Sequence, residues 1–137
     1  MEKSNNLRTG RHCVFNLHAH LVFVTKYRKN VFTNESLIDL KNIFKRVCYD
    51  FRTDLVEFNG ETDHVHLLIN YPSKVSISRL VNSLKGVSSR LLKKSHPSLK
   101  TKYWKGSLWS PSYFAGSCGG TTISLIRKYI ENQKAPD

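Results

Sequence analysis

Two histidines separated by one residue, His64 and His66 in the run DHVHLLINY, are the sharpest chemical feature of this 137-residue chain. Successive side chains on a β-strand alternate faces, so both imidazoles leave one side with Cβ atoms about 7 Å apart. That spacing suits two rings converging on a metal ion; the competing reading is a pair of surface or hydrogen-bonding histidines. His18-Ala19-His20 has the same spacing, so the pattern alone decides nothing. What sets His64 and His66 apart is their place directly after a turn, on a strand whose opposite face is apolar (Val65, Leu67, Ile69). Farther along, Tyr129 and Gln133 lie four residues apart on an expected helix and share a face. With Ile126 and Ile130 beside it, Tyr129 is either a core aromatic or a nucleophile. A phenol with a pKa near ~10 attacks poorly at neutral pH. It becomes effective on a phosphate polarised by a metal ion, with Lys128, Arg127 or a histidine stabilising charge nearby. The Gln133 amide oxygen is then a neutral donor able to complete a His-His-Gln set.

Other chemistries are poorly served. Glu57, Glu61 and Asp63 are the only local acidic cluster, too few paired carboxylates for a two-metal nuclease. Neither a G-x-S-x-G elbow nor a G-x-x-x-x-G-K-[ST] phosphate loop is present. Cys13, Cys48 and Cys118 are an odd number, far apart and without C-x-x-C, which argues against a disulfide framework and a zinc ribbon. If the chain cuts nucleic acid, a tyrosine is the reagent it offers.

The elements that must position these residues follow from the hydrophobic pattern. Cys13, Phe15, Leu17, Ala19, Leu21 and Phe23 alternate as a long first strand. Leu37, Leu40, Phe44, Val47 and Phe51 mark a helix capped by Thr33 or Asn34. Residues 53–59 form a second strand, Asn59-Gly60 a hairpin turn, and residues 63–71 a third strand stopped by Pro72. Ser73 or Ser76 opens a second helix carrying Ile77, Leu80, Leu84, Val87 and Leu91 on one face and Lys85, Arg90, Lys93 and Lys94 on or near the other. A basic loop leads to SLWSPSYFAG, where Pro111 dictates an edge or irregular strand. After Gly119-Gly120, Thr121 or Thr122 caps a last helix. The order β-α-β-β-α-β plus a helix predicts an α+β, ferredoxin-like sandwich with strands one and three central and both helices on one sheet face. The expected organisation is one domain: a tail over 1–11, a core over 12–118, and a hinge with the C-terminal helix over 119–137.

The charge names a partner. Lys and Arg number 22 against 10 Asp and Glu, a formal net charge of +12, and no acidic residue falls between Asp63 and Glu131. A merely solubilising surface mixes both signs, whereas a one-sign excess fits a polyanion whose counterions are released on binding. Hydrophobic residues at 39% suffice for a core. No apolar run approaches the ~18 residues of a membrane span, and the polar start MEKSNNLRTGRH is no signal peptide. A soluble, cytoplasmic protein without a membrane partner is expected.

The chain resembles the single-tyrosine HUH transposases, the TnpA enzymes of small insertion sequences that move as single-stranded DNA. The resemblance rests on five segments in order: HLVFVTKYRKNVF (20–32), DHVHLLINYP (63–72), SRLVNSLKGVSSRLLKK (78–94), LWSPSYFAGSCGG (108–120) and RKYIENQ (127–133). It implies that His64 and His66 hold a divalent ion, Mg²⁺ or Mn²⁺, with Gln133 as third ligand. Tyr129 would be the nucleophile, and Gly119 and Gly120 the hinge before its helix. It implies excision and insertion through a 5′-phosphotyrosine and a free 3′-OH, recognition of subterminal hairpins, and a homodimer whose composite sites combine histidines of one subunit with the tyrosine of the other. His18 and His20 have no part in that chemistry and are assigned to structure. Lys85, Arg90, Lys93 and Lys94 are the candidate phosphate contacts. Tyr103, Trp104 and Trp109 could stack on unpaired bases, with core packing favoured for Trp109. Two alternatives stay open: a host-adopted relative acting on palindromic repeats, and a non-catalytic single-stranded nucleic-acid-binding module.

Overall fold

The computed structural model describes residues 8–9, 14–15, 17–103, 106–117 and 121–133. Gly119, Gly120, Trp104, Cys13 and Cys118 lie outside the described residues. The elements in chain order are β1 (Arg8–Thr9), β2 (Val14–Phe15), β3 (Leu17–Val24), a 3-10 turn (Lys26–Arg28), α1 (Asn34–Asp50), β4 (Asp54–Gly60), β5 (His64–Tyr71), α2 (Ile77–Ser95), α3 (Pro97–Lys102), β6 (Phe114–Ser117) and α4 (Ile123–Glu131).

Four strands form an antiparallel sheet in the order β4-β5-β3-β6, so the first and third long strands are central, as the order of elements predicts. Odd-numbered residues of β3 and β5 (Leu21, Phe23, Val65, Leu67, Ile69) are fully buried in one cluster with Leu40 and Phe44 of α1 and Leu80, Leu84 and Leu92 of α2. Both long helices therefore cover the same sheet face. Trp109 is the centre of this core: its ring lies 5.7, 5.5 and 6.4 Å from Phe23, Phe32 and Phe44, and its indole N–H donates to Ser88 Oγ at 2.9 Å. The tryptophan is thus core, and Tyr103, 3% exposed with its hydroxyl donating to the Lys26 carbonyl, has no face left for a base.

Helix starts obey local chemistry. Thr33 Oγ1 accepts from Ser36 N at 3.2 Å while Ser36 Oγ accepts from Thr33 N at 2.9 Å, a capping box for α1. Ser76 caps α2 and Thr122 caps α4, each accepting from the backbone three residues on. Lys93 and Lys94 end α2, where cations favour the carbonyl end of the helix dipole.

Three local expectations are corrected. Within the expected first strand, Val14–Phe15 pairs with Arg8–Thr9 in a separate two-stranded sheet while β3 of the main sheet is described from Leu17, so the expected tail contributes a strand. The loop after α2 contains α3, whose Pro97 sits at the first helical position and whose Leu99 is buried; proline there is compatible with helix although it reads as a breaker. Gly60 is not the hairpin turn but the last residue of β4, opposite Val65, and the chain reverses over residues 61–63. Two constraints move it. A Cβ on Gly60 would lie 2.5 Å from Leu37 Cδ2, so the glycine serves the close approach of α1. The carbonyls of Thr62 and Asp63 accept from Val31, Phe32 and Thr25, tying the reversal to the segment before α1.

The opposite sheet face carries the even-numbered residues of β5, and α4 lies across it. Phe114 of β6 meets Tyr129 with ring centroids 5.8 Å apart, and Ile123 and Ile126 share a hollow with His64 and His66.

Candidate active site

His64 and His66 project from β5 on the face opposite Val65, Leu67 and Ile69, whose complete burial fixes the register. A one-residue slip would send both rings into the core. Each ring is held by a different partner. The Nδ1 of His64 lies 2.8 Å from Asp63 Oδ1, while Asp63 Oδ2 accepts from Arg28 Nε at 3.4 Å and the Asp63 carbonyl accepts from Thr25 N. With Nδ1 engaged by a carboxylate, the His64 Nε2 lone pair is left for a ligand, the arrangement by which carboxylates orient metal-binding histidines.

His66 meets another histidine. Its Nε2 lies 2.8 Å from Nδ1 of His20, the rings 5.0 Å apart and 21° from parallel. Burial, and next the neighbouring His20, lower the His66 pKa below the ordinary imidazole range, which favours the neutral ring. A hollow of about 210 Å³ adjoins the pair, lined by Asn59, Gly60, Glu61, His64, His66, Ile123 and Ile126. At ~30 Å³ per water it has room for an ion with several waters. Among the described residues no three His, Cys, Asp or Glu side chains converge as a metal cluster. Two imidazoles, one of them backed by a carboxylate, together with a carboxamide oxygen such as that of Gln133, are a donor set that would suit a divalent cation.

Tyr129 lies on α4 while Gln133, expected on the same helix, falls just past its end beyond the C-cap Asn132, and both engage one short segment. The Tyr129 hydroxyl is 2.7 Å from Ser112 Oγ, and Gln133 Oε1 accepts from Ser110 Oγ and Ser112 Oγ, both at 3.2 Å. A consistent assignment has the phenol donating to Ser112 and Ser112 donating to the amide. Burial raises the phenol pKa, opposed by the Ser112 bond, so the hydroxyl keeps its proton at neutral pH. The segment itself is braced by Lys85, whose ammonium donates to the carbonyls of Ser110 at 2.7 Å and Ser112 at 3.1 Å.

The two halves do not meet through these contacts. Val22 of β3 is opposite both His66 of β5 and Phe114 of β6, so the histidines and the tyrosine's dock are two strand spacings apart, roughly 10 Å. The residues of α4 that line hollows with His64 are Ile123, Ile126, Arg127, Ile130 and Glu131.

Of the basic candidates on α2, Arg90 and Lys94 are exposed. Lys85 is turned inward as described, and Lys93 donates to the Gly106 carbonyl. Sequence reasoning did not single out Ser110, Ser112 or Asp63 as partners, and it assigned His20 to structure. Only the adjacency of Asp63 to His64 carried a signal; the serines and His20 approach the site from distant positions.

Comparison with known proteins gives a consistent result. Residues 13–133 match the family model described as "Transposase IS200 like". The chain is 35% identical over 127 residues to the ISDra2 transposase TnpA of Deinococcus radiodurans, covering 93% of this chain and 91% of that protein. It is 32% identical over 126 residues to the transposase for insertion sequence element IS200 of Salmonella typhimurium, covering 92% and 82%. A crystal structure from Deinococcus radiodurans R1, described as a candidate transposase, superposes with a TM-score of 0.87 at 37% identity, covering 93% of this chain and 98% of that one. A REP-associated tyrosine transposase bound to a REP hairpin shares the fold, with a TM-score of 0.56 at 10% identity over 90% and 68% of the two chains. With the match spanning nearly the whole sequence, the chain belongs to the IS200-like transposase family, enzymes that cleave and rejoin DNA.

Proposed function

We propose that this transposase excises and inserts a single-stranded DNA element by tyrosine attack. Tyr129 displaces the 3′ oxygen of a phosphodiester at the element's end, forming a 5′-phosphotyrosine and releasing a 3′-OH. That hydroxyl later attacks a second phosphotyrosine, so phosphodiester energy is conserved and no nucleotide cofactor is required. His64, His66 and Gln133 are the residues that would hold a divalent ion, Mg²⁺ or Mn²⁺, which when bound supplies Lewis-acid polarisation of the scissile phosphate. Asp63 fixes the His64 tautomer, and Ser112 orients the phenol.

The observation that carries this reading is the pairing of Tyr129 and Gln133 at one serine while the histidines wait on the same sheet face, two strands away. A helix that joins the two must move, and our reading is that it swings about Gly119 and Gly120 to the histidines of a second subunit, making composite sites in a homodimer. The exposure of Ile123 and Leu125 on α4, 74% and 45%, supports an apolar helix that a partner covers. Subterminal hairpins are the DNA we assign to the basic surface, with Arg90 and Lys94 on phosphates and Lys85 and Lys93 bracing the loops beneath. The complex of the distant fold neighbour with a REP hairpin is in keeping with that choice.

A 3′-end-labelled single-stranded oligonucleotide bearing the element's end tests the reaction. The wild-type chain with Mn²⁺ is expected to give an SDS-resistant labelled adduct, and Tyr129→Phe to give none while still binding the hairpin. An adduct formed by Tyr129→Phe would remove Tyr129 from the reaction, and cleavage without any adduct would point to water as nucleophile.

A further inference from the structure

His20 is among the histidines that the proposed chemistry leaves unused, yet it touches His66. Its Nδ1 is 2.8 Å from His66 Nε2 and the rings are nearly parallel. The strand register says on which side it stands. His64 is opposite Val24, His66 opposite Val22, and His20 opposite Leu68, so His20 lies beyond His66, away from the gap between the two histidines of β5. A cation bridging His64 and His66 would therefore have His20 behind it.

We propose that His20 is a positioning residue for the metal site: by sharing a proton with Nε2 of His66 it fixes the tautomer and tilt of that ring, as Asp63 does for His64. The two histidine ligands are then each backed by one side chain, a carboxylate from the same strand end and an imidazole from the neighbouring strand. The physical need is plain. An imidazole on a strand rotates about two side-chain bonds, and a ring that must present a lone pair in one direction loses affinity when either is loose. Val22, fully buried, is the residue of β3 directly opposite His66, so the polar contact that β3 makes to this ring comes diagonally, from His20. This role rests on the reading of His64 and His66 as metal ligands.

The test uses the full chain and Mn²⁺ as the probe. His20→Ala should weaken Mn²⁺ binding by calorimetry about 10–100-fold, the usual loss when a partner behind a ligand is removed. His20→Asn, whose amide stands near the place of Nδ1, should recover most of it, and His20→Leu, which fills the space without a polar atom, should not. In metal-free protein, ¹⁵N shifts of the His66 ring should change to a mixed-tautomer pattern in His20→Ala and His20→Leu and return in His20→Asn. Unchanged Mn²⁺ affinity in His20→Ala and His20→Leu overturns the proposal. Tighter binding also overturns it, and would make His20 a competitor for the His66 lone pair. Should His20→Ala fail to fold, the Asn and Leu pair decides alone. A wild-type chain that bound no Mn²⁺, or bound it equally after His64→Ala, would sink the metal reading itself and this role with it, whereas loss in His64→Ala but not in His20→Leu sinks this role alone.

Discussion

Replacing Lys85 with methionine separates two roles that the sequence cannot distinguish. The methionine keeps most of the aliphatic stem and removes the ammonium, which donates to the carbonyls of Ser110 and Ser112 at 2.7 and 3.1 Å. Burial lowers the Lys85 pKa, as expected of an amine drawn away from bulk water. A hydrogen bond to a charged group contributes about 1.5–3 kcal/mol, and the outer of these two carbonyls is open enough for water to replace the lysine. The expected destabilisation is therefore that of one such bond, about 1.5–3 kcal/mol. In urea, with a slope of about 1–3 kcal/mol per molar, the unfolding midpoint should fall by about 1 M with the slope unchanged. The second readout is the salt dependence of binding to a single-stranded oligonucleotide. A lysine that neutralises a phosphate contributes about 0.7 to the slope of log affinity against log salt. Lys85→Met should leave that slope unchanged, whereas Arg90→Gln and Lys94→Gln should each reduce it. Wild-type stability in Lys85→Met together with a slope smaller by ~0.7 would refute the brace and return Lys85 to the phosphate surface.

Three further outcomes are expected. Burial pushes the Tyr103 hydroxyl up to about 12; because the folded value exceeds the unfolded one of ~10, its contribution to stability is intact below pH ~10 and is lost as pH rises towards 12. The difference between wild-type and Tyr103→Phe absorbance near 295 nm should show no phenolate at pH 10.5 while circular dichroism remains native, and a normal titration there would contradict the buried hydrogen bond to Lys26. Cys48 is buried with its thiol pKa raised by desolvation, so in a Cys13→Ser/Cys118→Ser background Ellman's reagent should react only after unfolding, and prompt reaction in native buffer would show that α1 opens. A Cβ on Gly116 would fall 2.3 Å from Thr121 Oγ1 and 3.1 Å from the Phe114 ring, so Gly116→Ala should cost about 1–3 kcal/mol, partly restored by Thr121→Ala in a double-mutant cycle. Additive losses would mean that the helix start does not press on β6.

The elements and their capping residues were legible because each depends on near neighbours. Alternation along 17–24 and 64–71, the three- and four-residue steps of α1 and α2, and the cap pairs Thr33 or Asn34, Ser73 or Ser76 and Thr121 or Thr122 are properties of short windows, from which the structure selects Thr33, Ser76 and Thr122. The same holds for the shared face of His64 and His66, since the strand period fixes which side chains are parallel; Gln133, by contrast, lies past the end of the helix that carries Tyr129. The turn at 61–63 was not legible, because a contact from Leu37 and hydrogen bonds from residues 25, 31 and 32 decide where the hairpin reverses. Nor was α3, where a proline that usually ends helices begins one.

By itself the sequence determined that the chain is basic, that it has an α+β core with two imidazoles on one central strand, and that a tyrosine stands on the last helix with a glutamine four residues on. Only the tertiary structure decided what those groups touch. Asp63 behind His64, His20 behind His66, Ser112 at Tyr129 and Lys85 beneath Ser112 join residues 1, 46, 17 and 27 positions apart. Local periodicity sets the direction of a side chain, but its partner is chosen by how strands and helices pack, and that choice is made by burial summed over the whole core.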